Sequence, residues 1–236
     1  MSANRTILIC RCAERGLVDT RDLAESCNRE EAVVIPDLCR AAAEKDPVLQ
    51  EMAGSESAVV HACHPRAVKA LFMHAGHPLP ETASVVDHRR DPPGSAAAAD
   101  DAEKPPAWFP VIDYDRCTSC GQCFEFCLFG VYRKESDGRI RVVHPDNCKN
   151  NCPACARICP EAAIIFPKSA ETPINGAEID DEAAVRANIK VNVNEILGDD
   201  VYAALNARRE KRQSLLNRKK IERALEERRK CSGDEG

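Results

Sequence analysis

The chain has 236 residues, 44% of them hydrophobic and 30% charged, a balance typical of a folded soluble protein with one large or two small domains. A formal net charge of −5 argues against a protein built mainly to bind nucleic acid, and an aromatic content of 4% argues against a base-stacking surface.

Fourteen cysteines are the unusual part of this composition. Eight of them follow one another at gaps of two or three residues within two short segments, which favours metal binding over disulfide bonds. The N-terminal residues lack the apolar core and cleavage site of a signal peptide. No apolar run approaches the about 18 residues that suggest a membrane span. We therefore expect a cytoplasmic protein without a membrane span.

The first region, residues 1–88, predicts a small parallel α/β domain. Its predicted strands are Thr6–Ile9, Ala32–Ile35 and Ala58–Val60. Its predicted helices are Asp19–Cys27, Pro47–Ala53 and Ala67–His74. Asp46 is suited to the N-cap of the second helix, and Pro47 and Pro65 are suited to first helical turns. This alternation favours a parallel sheet with right-handed crossovers.

Four cysteines of this region lie just beyond predicted strands, and they are Cys10, Cys12, Cys39 and Cys63. Because the carboxyl ends of parallel strands share one edge of a sheet, the four thiols could meet there and hold one iron–sulfur cluster. Two alternatives stay open. The cysteines could be buried packing residues or loose thiols of a relic site, since free cysteine packs well in cores, or they could form a redox-active dithiol pair. Cys27 lies within a predicted helix and does not fit the set.

Histidines are frequent near these cysteines, at His61, His64, His74 and His77. Histidines in such positions are more typical of surface or helix-cap groups than of ligands where four thiolates are available. We therefore do not include them in the metal site.

The motifs around these cysteines resemble a known family. Cys10-Arg-Cys12, Cys39 and the segment His61-Ala-Cys-His-Pro-Arg66 are similar to the N-terminal domain of the flavin-carrying subunit of heterodisulfide reductases. The resemblance implies a [4Fe–4S] cluster on the four cysteines, which would be the third cluster of the chain beside the two predicted below for residues 108–168. Ala13 departs from the glycine usual in that family, and the family's flavin domain is not part of this sequence.

The second region, residues 89–107, predicts a flexible linker. It is rich in alanine and proline and includes the segment Asp91-Pro-Pro-Gly-Ser95. We expect this linker to let one module swing relative to the other.

The third region, residues 108–168, contains the two cysteine-rich segments. The first carries Cys117, Cys120, Cys123 and Cys127, and the second carries Cys148, Cys152, Cys155 and Cys159. Two-residue gaps let successive thiolates wrap one four-iron cluster, and the fourth cysteine, which we expect to begin a helix, reaches the other cluster. This crossed scheme predicts one cluster on Cys117, Cys120, Cys123 and Cys159. It predicts a second cluster on Cys148, Cys152, Cys155 and Cys127.

This pattern closely resembles the bacterial two-cluster [4Fe–4S] ferredoxin family. The resemblance implies a pseudo-symmetric pair of β-hairpins and short helices. Two departures are visible: three residues follow Cys148 where the family usually has two, and Leu128 follows the last cysteine of the first segment instead of proline. The alternative is one or two zinc sites, although zinc motifs rarely present four cysteines at such gaps twice. An apolar shell around the clusters is predicted at Ile112, Phe124, Phe126, Val131, Ile158, Ile164 and Ile165.

The last region, residues 169–236, predicts a turn-rich segment followed by a basic C-terminal helix. Between Leu205 and Cys231 there are eleven lysines and arginines and four glutamates. Three interpretations stay open: a solvated basic helix, docking onto an acidic redox partner or onto the acidic body of the chain, and binding to RNA or a membrane surface.

Together these features predict an α+β protein that is a multi-cluster electron carrier rather than an enzyme. We expect redox proteins as partners, no small-molecule substrate, and a role as subunit or donor in a cytoplasmic redox complex of heterodisulfide-reductase type. One alternative is an iron–sulfur redox sensor or regulatory protein that acts through the basic C-terminal helix. Another is an assembly subunit whose clusters only brace the fold.

Overall fold

The computed structural model describes residues 6–12, 17–26, 32–89 and 107–183. All of these described residues belong to one compact unit of the chain. Most of the predicted linker, residues 90–106, and the predicted basic helix beyond residue 183 lie outside the described residues. Both therefore stay predictions.

A four-stranded parallel sheet forms the core of the first region, as predicted for an α+β protein. Its strands are β1 (Thr6–Cys10), β2 (Ala32–Ile35), β3 (Ala58–Ala62) and β4 (Ser84–Asp87), in the order β2-β1-β3-β4. The chain leaves β1 towards β2 on one side and returns to β3 on the other. The carboxyl ends of β1 and β3 therefore flank the topological switch point, where open α/β sheets build their sites.

Four helices accompany the sheet, and they are α1 (Arg21–Ser26), α2 (Leu38–Glu44), α3 (Pro47–Ala53) and α4 (Pro65–Ala75). The side chain of Asp46 accepts a hydrogen bond from the Val48 amide, which caps α3 at the predicted position. Helix α4 buries Val68, Leu71 and Phe72 in the core. Helix α2 and strand β4 were not predicted. Cys39 consequently lies in the first turn of a helix rather than in a loop.

The third region forms two small antiparallel pairs of strands and two short helices. The elements are β5 (Val111–Ile112), α5 (Gln122–Phe126), β6 (Tyr132–Lys134), β7 (Ile140–Val142), α6 (Ala154–Arg157) and β8 (Ile164–Ile165). Strands β6 and β7 form a local hairpin, whereas β5 pairs with the distant β8 and so joins the beginning of the region to its end. The expected pair of hairpins is therefore one hairpin and one closing pair.

The helices of the third region carry the third cysteine of each segment. Cys123 lies on α5 and Cys155 on α6, while Cys127 and Cys159 come after these helices. The expectation that the fourth cysteine begins a helix was wrong. Each helix is only about one turn long, so its C-terminal end is where the chain can turn towards the other segment.

The first and third regions pack directly against each other. Phe109, Val111 and Ile165 belong to the same buried core as Val60 and Phe72. Arg66 on α4 donates from Nε to Asp113 Oδ2 at 3.0 Å, from Nη2 to the Ala162 carbonyl at 3.0 Å and from Nη1 to the Ala177 carbonyl at 2.9 Å. This packing contradicts the swinging motion that we expected from the linker composition. The prediction failed because composition does not reveal contacts between distant segments.

In the part of the chain that the structure describes, no helix has the length and hydropathy that crossing a bilayer requires.

Candidate functional site

The thiols of Cys117, Cys120, Cys123 and Cys159 surround one cavity. Ile112, Ile140 and Ile164 also line this cavity. Burial, with smaller contributions from the nearby Cys159 and Cys117 thiols, raises the pKa of the Cys123 thiol to about 12. The structure thus brings the fourth cysteine of the second segment to the first three cysteines of the first segment.

The remaining four cysteines of the region also lie together. Burial raises the pKa of Cys148 to about 12, and the nearby Cys152 and Cys127 thiols add to the increase. Burial likewise raises the pKa of Cys155, to which Cys148 and Cys127 contribute. Each group of four therefore draws three cysteines from one segment and one from the other. Thiols with raised pKa values keep their protons until a metal cation displaces them.

The two cysteine loops share one backbone feature despite their different lengths. Ser119, which precedes Cys120, has a φ of 56°, and Asn151, which precedes Cys152, has a φ of 57°. Both lie in the left-handed region, which costs a non-glycine residue about 1–2 kcal/mol. The extra residue after Cys148 is therefore accommodated before this position, and the turn into the second cysteine of each segment is retained.

Hydrogen bonds to sulfur are present in both groups. Tyr132 Oη donates to Cys155 Sγ at 3.0 Å in a buried environment, and the Ala163 amide donates to Cys159 Sγ at 3.3 Å. Such donors stabilise negative charge on a thiolate and tune a bound cluster. Sequence reasoning missed Tyr132. The only indication in the sequence was that Tyr132 comes shortly after the first cysteine segment, where it forms β6 in the structure.

Five of the seven residues predicted to form the apolar shell are buried, although Ile165 packs in the core shared with the first region. Ile112, Val131, Ile158, Ile164 and Ile165 are buried. Phe126 is half-buried. Phe124 differs, because 40% of its surface is exposed. It lies on α5, and the exposed residues Leu128 and Phe129 follow this helix, so this side of the region presents apolar surface to solvent.

The four cysteines of the first region gather at the carboxyl edge of the parallel sheet. Cys10 ends β1, Cys63 follows β3 and Cys39 lies on α2, and all three thiols are buried together with that of Cys12. Burial, with a smaller contribution from the nearby Cys12 thiol, raises the pKa of Cys63 to about 12. Burial and the Cys12, Asp37 and Cys63 side chains raise the pKa of Cys10.

Local geometry directs these thiols inward. Cys12 has a φ of 45°, a conformation that is rare outside glycine, and its residue exposure is 6%. The Leu38 amide at the start of α2 donates to Cys10 Sγ at 3.3 Å. This group of four thiols, like the two groups of the third region, has the donor number and type that a four-iron cluster requires.

The histidines near this edge contact other side chains. His64 Nδ1 lies 2.7 Å from Asp87 Oδ2, and His61 Nδ1 lies 2.9 Å from His88 Nε2. Among the described residues, no three His, Cys, Asp or Glu side chains are close enough to share a single metal ion. A four-iron cluster instead takes its thiolates at four separate iron atoms.

Comparison with known proteins places the third region in a family. A family model described as a 4Fe–4S dicluster domain matches residues 109–160. An uncharacterized ferredoxin of Methanocaldococcus jannaschii is 48% identical over 62 residues, which is 26% of this chain and 42% of the relative. Ferredoxin-3 of a Nostoc species is 36% identical over 73 residues, which is 24% of this chain and 74% of the relative.

A pyruvate synthase subunit of Methanocaldococcus jannaschii is 33% identical over 55 residues, which is 23% of this chain and 62% of that subunit. The chain thus spans less than half of the first of these relatives and about three quarters of the second. No solved structure matches the chain.

Proposed function

Because the chain belongs to the 4Fe–4S ferredoxin family, through residues 109–160, we propose that this iron–sulfur electron-transfer protein carries two clusters in its third region and a third cluster at its parallel sheet. One cluster would be held by Cys117, Cys120, Cys123 and Cys159. The second would be held by Cys148, Cys152, Cys155 and Cys127. The third would be held by Cys10, Cys12, Cys39 and Cys63.

The observation that carries the proposal is the cavity bounded by Cys117, Cys120, Cys123 and Cys159. Three of these residues are near neighbours in sequence, but Cys159 comes from the other segment and is brought in by the pairing of β5 with β8. When bound, a cubane cluster supplies a one-electron couple while its thiolate ligands stay in place. In the third region the cysteines would hold the clusters, Tyr132 and the Ala163 amide donate hydrogen bonds to Cys155 and Cys159, and the buried isoleucines exclude water.

We propose in addition that residues 1–88 are the counterpart of the N-terminal domain of the flavin-carrying subunit of heterodisulfide reductases. What supports this is that the four cysteines of the resemblance are buried at the same sheet edge, beside the switch point. On this proposal the protein is an electron carrier, not itself a catalyst. It would be a subunit or donor of a cytoplasmic redox complex of that type.

The test is to measure iron and acid-labile sulfide per chain after anaerobic purification, together with electron paramagnetic resonance of the reduced protein. We expect about twelve irons, as three four-iron clusters require. The double variant Cys10→Ser/Cys63→Ser is expected to contain about eight irons and to keep both signals of the third region. Cys155→Ser is the matched control, which should lose one of those two signals and keep that of the first region.

Two results would contradict the proposal. About eight irons in the wild-type protein, unchanged by the double substitution, would remove the third cluster and leave a two-cluster ferredoxin region. Clusters that cannot be reduced reversibly would favour a role in assembly only. Removal of residues 206–236 separates the carrier from the sensor hypothesis. A sensor should lose partner binding while its clusters stay intact, whereas a carrier should still take up electrons from a low-potential donor.

A further inference from the structure

A buried ion pair joins the two regions beside the cysteines of the first region. Lys168 follows β8 in the third region, and its Nζ contacts Asp37 Oδ2 at the N-cap of α2. The side chains of Lys168 and Asp37 are 2% and 3% exposed. Charges are rarely buried to this extent unless they are paired, and pairing across a boundary between two regions makes each region depend on the other.

The segment that carries Lys168 is held in place by a second cation. Arg89, which follows β4, donates from Nη1 to the Pro167 carbonyl and from Nη2 to the Ser169 carbonyl. Asp37 is held as well, because its Oδ1 accepts a hydrogen bond from the Cys39 amide at 2.9 Å. Both partners of the ion pair are thus fixed by contacts besides the pair itself.

The ion pair lies within electrostatic reach of three of the four thiols. The Asp37 carboxylate raises the pKa of Cys10, Cys12 and Cys39, after the larger effect of burial. Lys168 acts in the opposite direction and lowers the pKa of Cys12 and Cys39. Arg89 also lowers the pKa of Cys12 and Cys63. Of these charged groups, Asp37 belongs to the first region, Arg89 follows β4 at the start of the second, and Lys168 belongs to the third.

We infer that Lys168 is a positioning residue through which the third region sets the reduction potential of the thiolate site in the first region. The inference rests on the proposed third cluster. One electron entering that site adds one negative charge and no proton moves. The buried Lys168 charge, held against Asp37 at the start of the helix that carries Cys39, offsets part of the added charge. The site therefore reaches its working potential only when the two regions are packed together.

The experiment is a redox titration of the full-length, anaerobically purified protein, followed by electron paramagnetic resonance, with iron counted in each sample. Lys168→Met is expected to move the potential of the third signal to more negative values by at least a tenfold change in equilibrium constant, which is 59 mV for one electron. The two signals of the third region should move by less. Lys168→Arg keeps the charge and should keep the wild-type potential.

Asp37→Asn provides an opposite and independent measurement. It retains a side-chain oxygen that can cap α2 and should move the potential of the third signal to more positive values. The double variant Asp37→Asn/Lys168→Met removes both charges and should return the potential close to that of the wild type. These variants also keep the inference testable if Lys168→Met, which leaves a buried carboxylate unpaired, does not fold.

The possible results separate this inference from the proposed function. About eight irons in the wild-type protein would remove the third cluster and this role of Lys168 with it. About twelve irons together with an unchanged third potential in Lys168→Met, or in Asp37→Asn where Lys168→Met is unfolded, would overturn the role of Lys168 alone. A shift of equal size in all three signals would also overturn it, since that result indicates a general change of structure.

Discussion

The thiol groups of the two regions differ in their access to solvent. In the third region Cys120 is exposed and five cysteines are half-buried, so that only Cys123 and Cys155 are buried. In the first region the four candidate ligands, Cys10, Cys12, Cys39 and Cys63, are all buried, with exposures between 4% and 8%. Clusters near the surface can exchange electrons with a partner protein directly, whereas a buried site can do so only through the protein that surrounds it.

The way in which the thiols are gathered also differs. In the third region the spacing within each segment keeps three thiols of each group close together. The pairing of β5 with β8 then brings Cys159 to the first group. In the first region Cys10 and Cys12 come from the end of β1, Cys39 from α2 and Cys63 from the end of β3, and only the parallel sheet brings them to one edge. A short motif can therefore specify a surface site, while a buried site needs the whole domain.

The largest expected effect is on the rate of iron loss. After mild oxidation, an iron chelator should remove iron from the third region at least about 100-fold faster than from the first, because a buried site must first open locally at a cost of about 2.7 kcal/mol. Chelated iron is followed by absorbance over time. The variant Cys10→Ser/Cys63→Ser should lack the slow phase. A slow phase that persists in this variant would show that burial does not separate the two regions.

The next effect concerns the packing between regions. Gly176 has a φ of +93°, and a Cβ at this position would lie 2.7 Å from the Ala67 Cβ and 2.9 Å from the Ala67 backbone nitrogen on α4. Gly176→Ala should therefore lower the free energy of unfolding by more than about 2 kcal/mol, since it adds a steric clash to an unfavourable backbone conformation.

The matched control for this substitution is Gly138→Ala. Gly138 has a φ of +84° and no atom within 4 Å of an added Cβ, so only the backbone cost applies, about 1–2 kcal/mol. Both variants are compared by chemical denaturation of the holoprotein. Equal losses of stability would contradict the close approach of residue 176 to α4.

A smaller effect is expected at the second group of the third region. Tyr132→Phe removes the hydroxyl that donates to Cys155 Sγ, which should move the potential of one cluster to more negative values by the equivalent of about 1 kcal/mol. Tyr114→Phe is the control, because Tyr114 Oη donates to the Ile140 carbonyl rather than to sulfur. Similar shifts in both variants would mean that the Tyr132 hydroxyl acts only through packing.

The smallest effect is a pH dependence at the boundary between regions. His74 on α4 lies 5.2 Å from Phe109, between ring centroids, and burial together with Lys45 lowers its pKa to about 4. The unfolded chain binds this proton near pH 6.5, so the free energy of unfolding should fall as the pH decreases through 6.5 towards 4. Between pH 7 and pH 6 the loss is at most about 0.7 kcal/mol.

The measurement for His74 is a denaturation series between pH 7 and pH 6. His74→Gln should flatten the dependence, and His77→Gln, just beyond the end of α4, is the matched control that should leave it in place. If the dependence is the same in His74→Gln, the boundary does not respond to this histidine.

Prediction from the sequence succeeded where short-range rules apply. The capping of α3 by Asp46 and the three first strands follow from local composition and hydrophobic pattern. Helix α2 was missed although Asp37 caps it, because its run of small residues carries only a weak helical pattern. The expected swinging of the modules failed for another reason. The sequence does not indicate that the Arg66 guanidinium has hydrogen-bond partners 47 to 111 residues away.

The sequence alone determined the family, through two cysteine segments whose spacing limits where their thiols can lie, and it indicated a parallel sheet through alternating strands and helices. Only the tertiary structure decided which groups surround the sulfurs. Tyr132 lies 23 residues from Cys155, and Lys168 lies 131 residues from Asp37. Chain geometry restricts distances between near neighbours, but contacts at such separations exist only after the sheet, its helices and the pairing of β5 with β8 have formed.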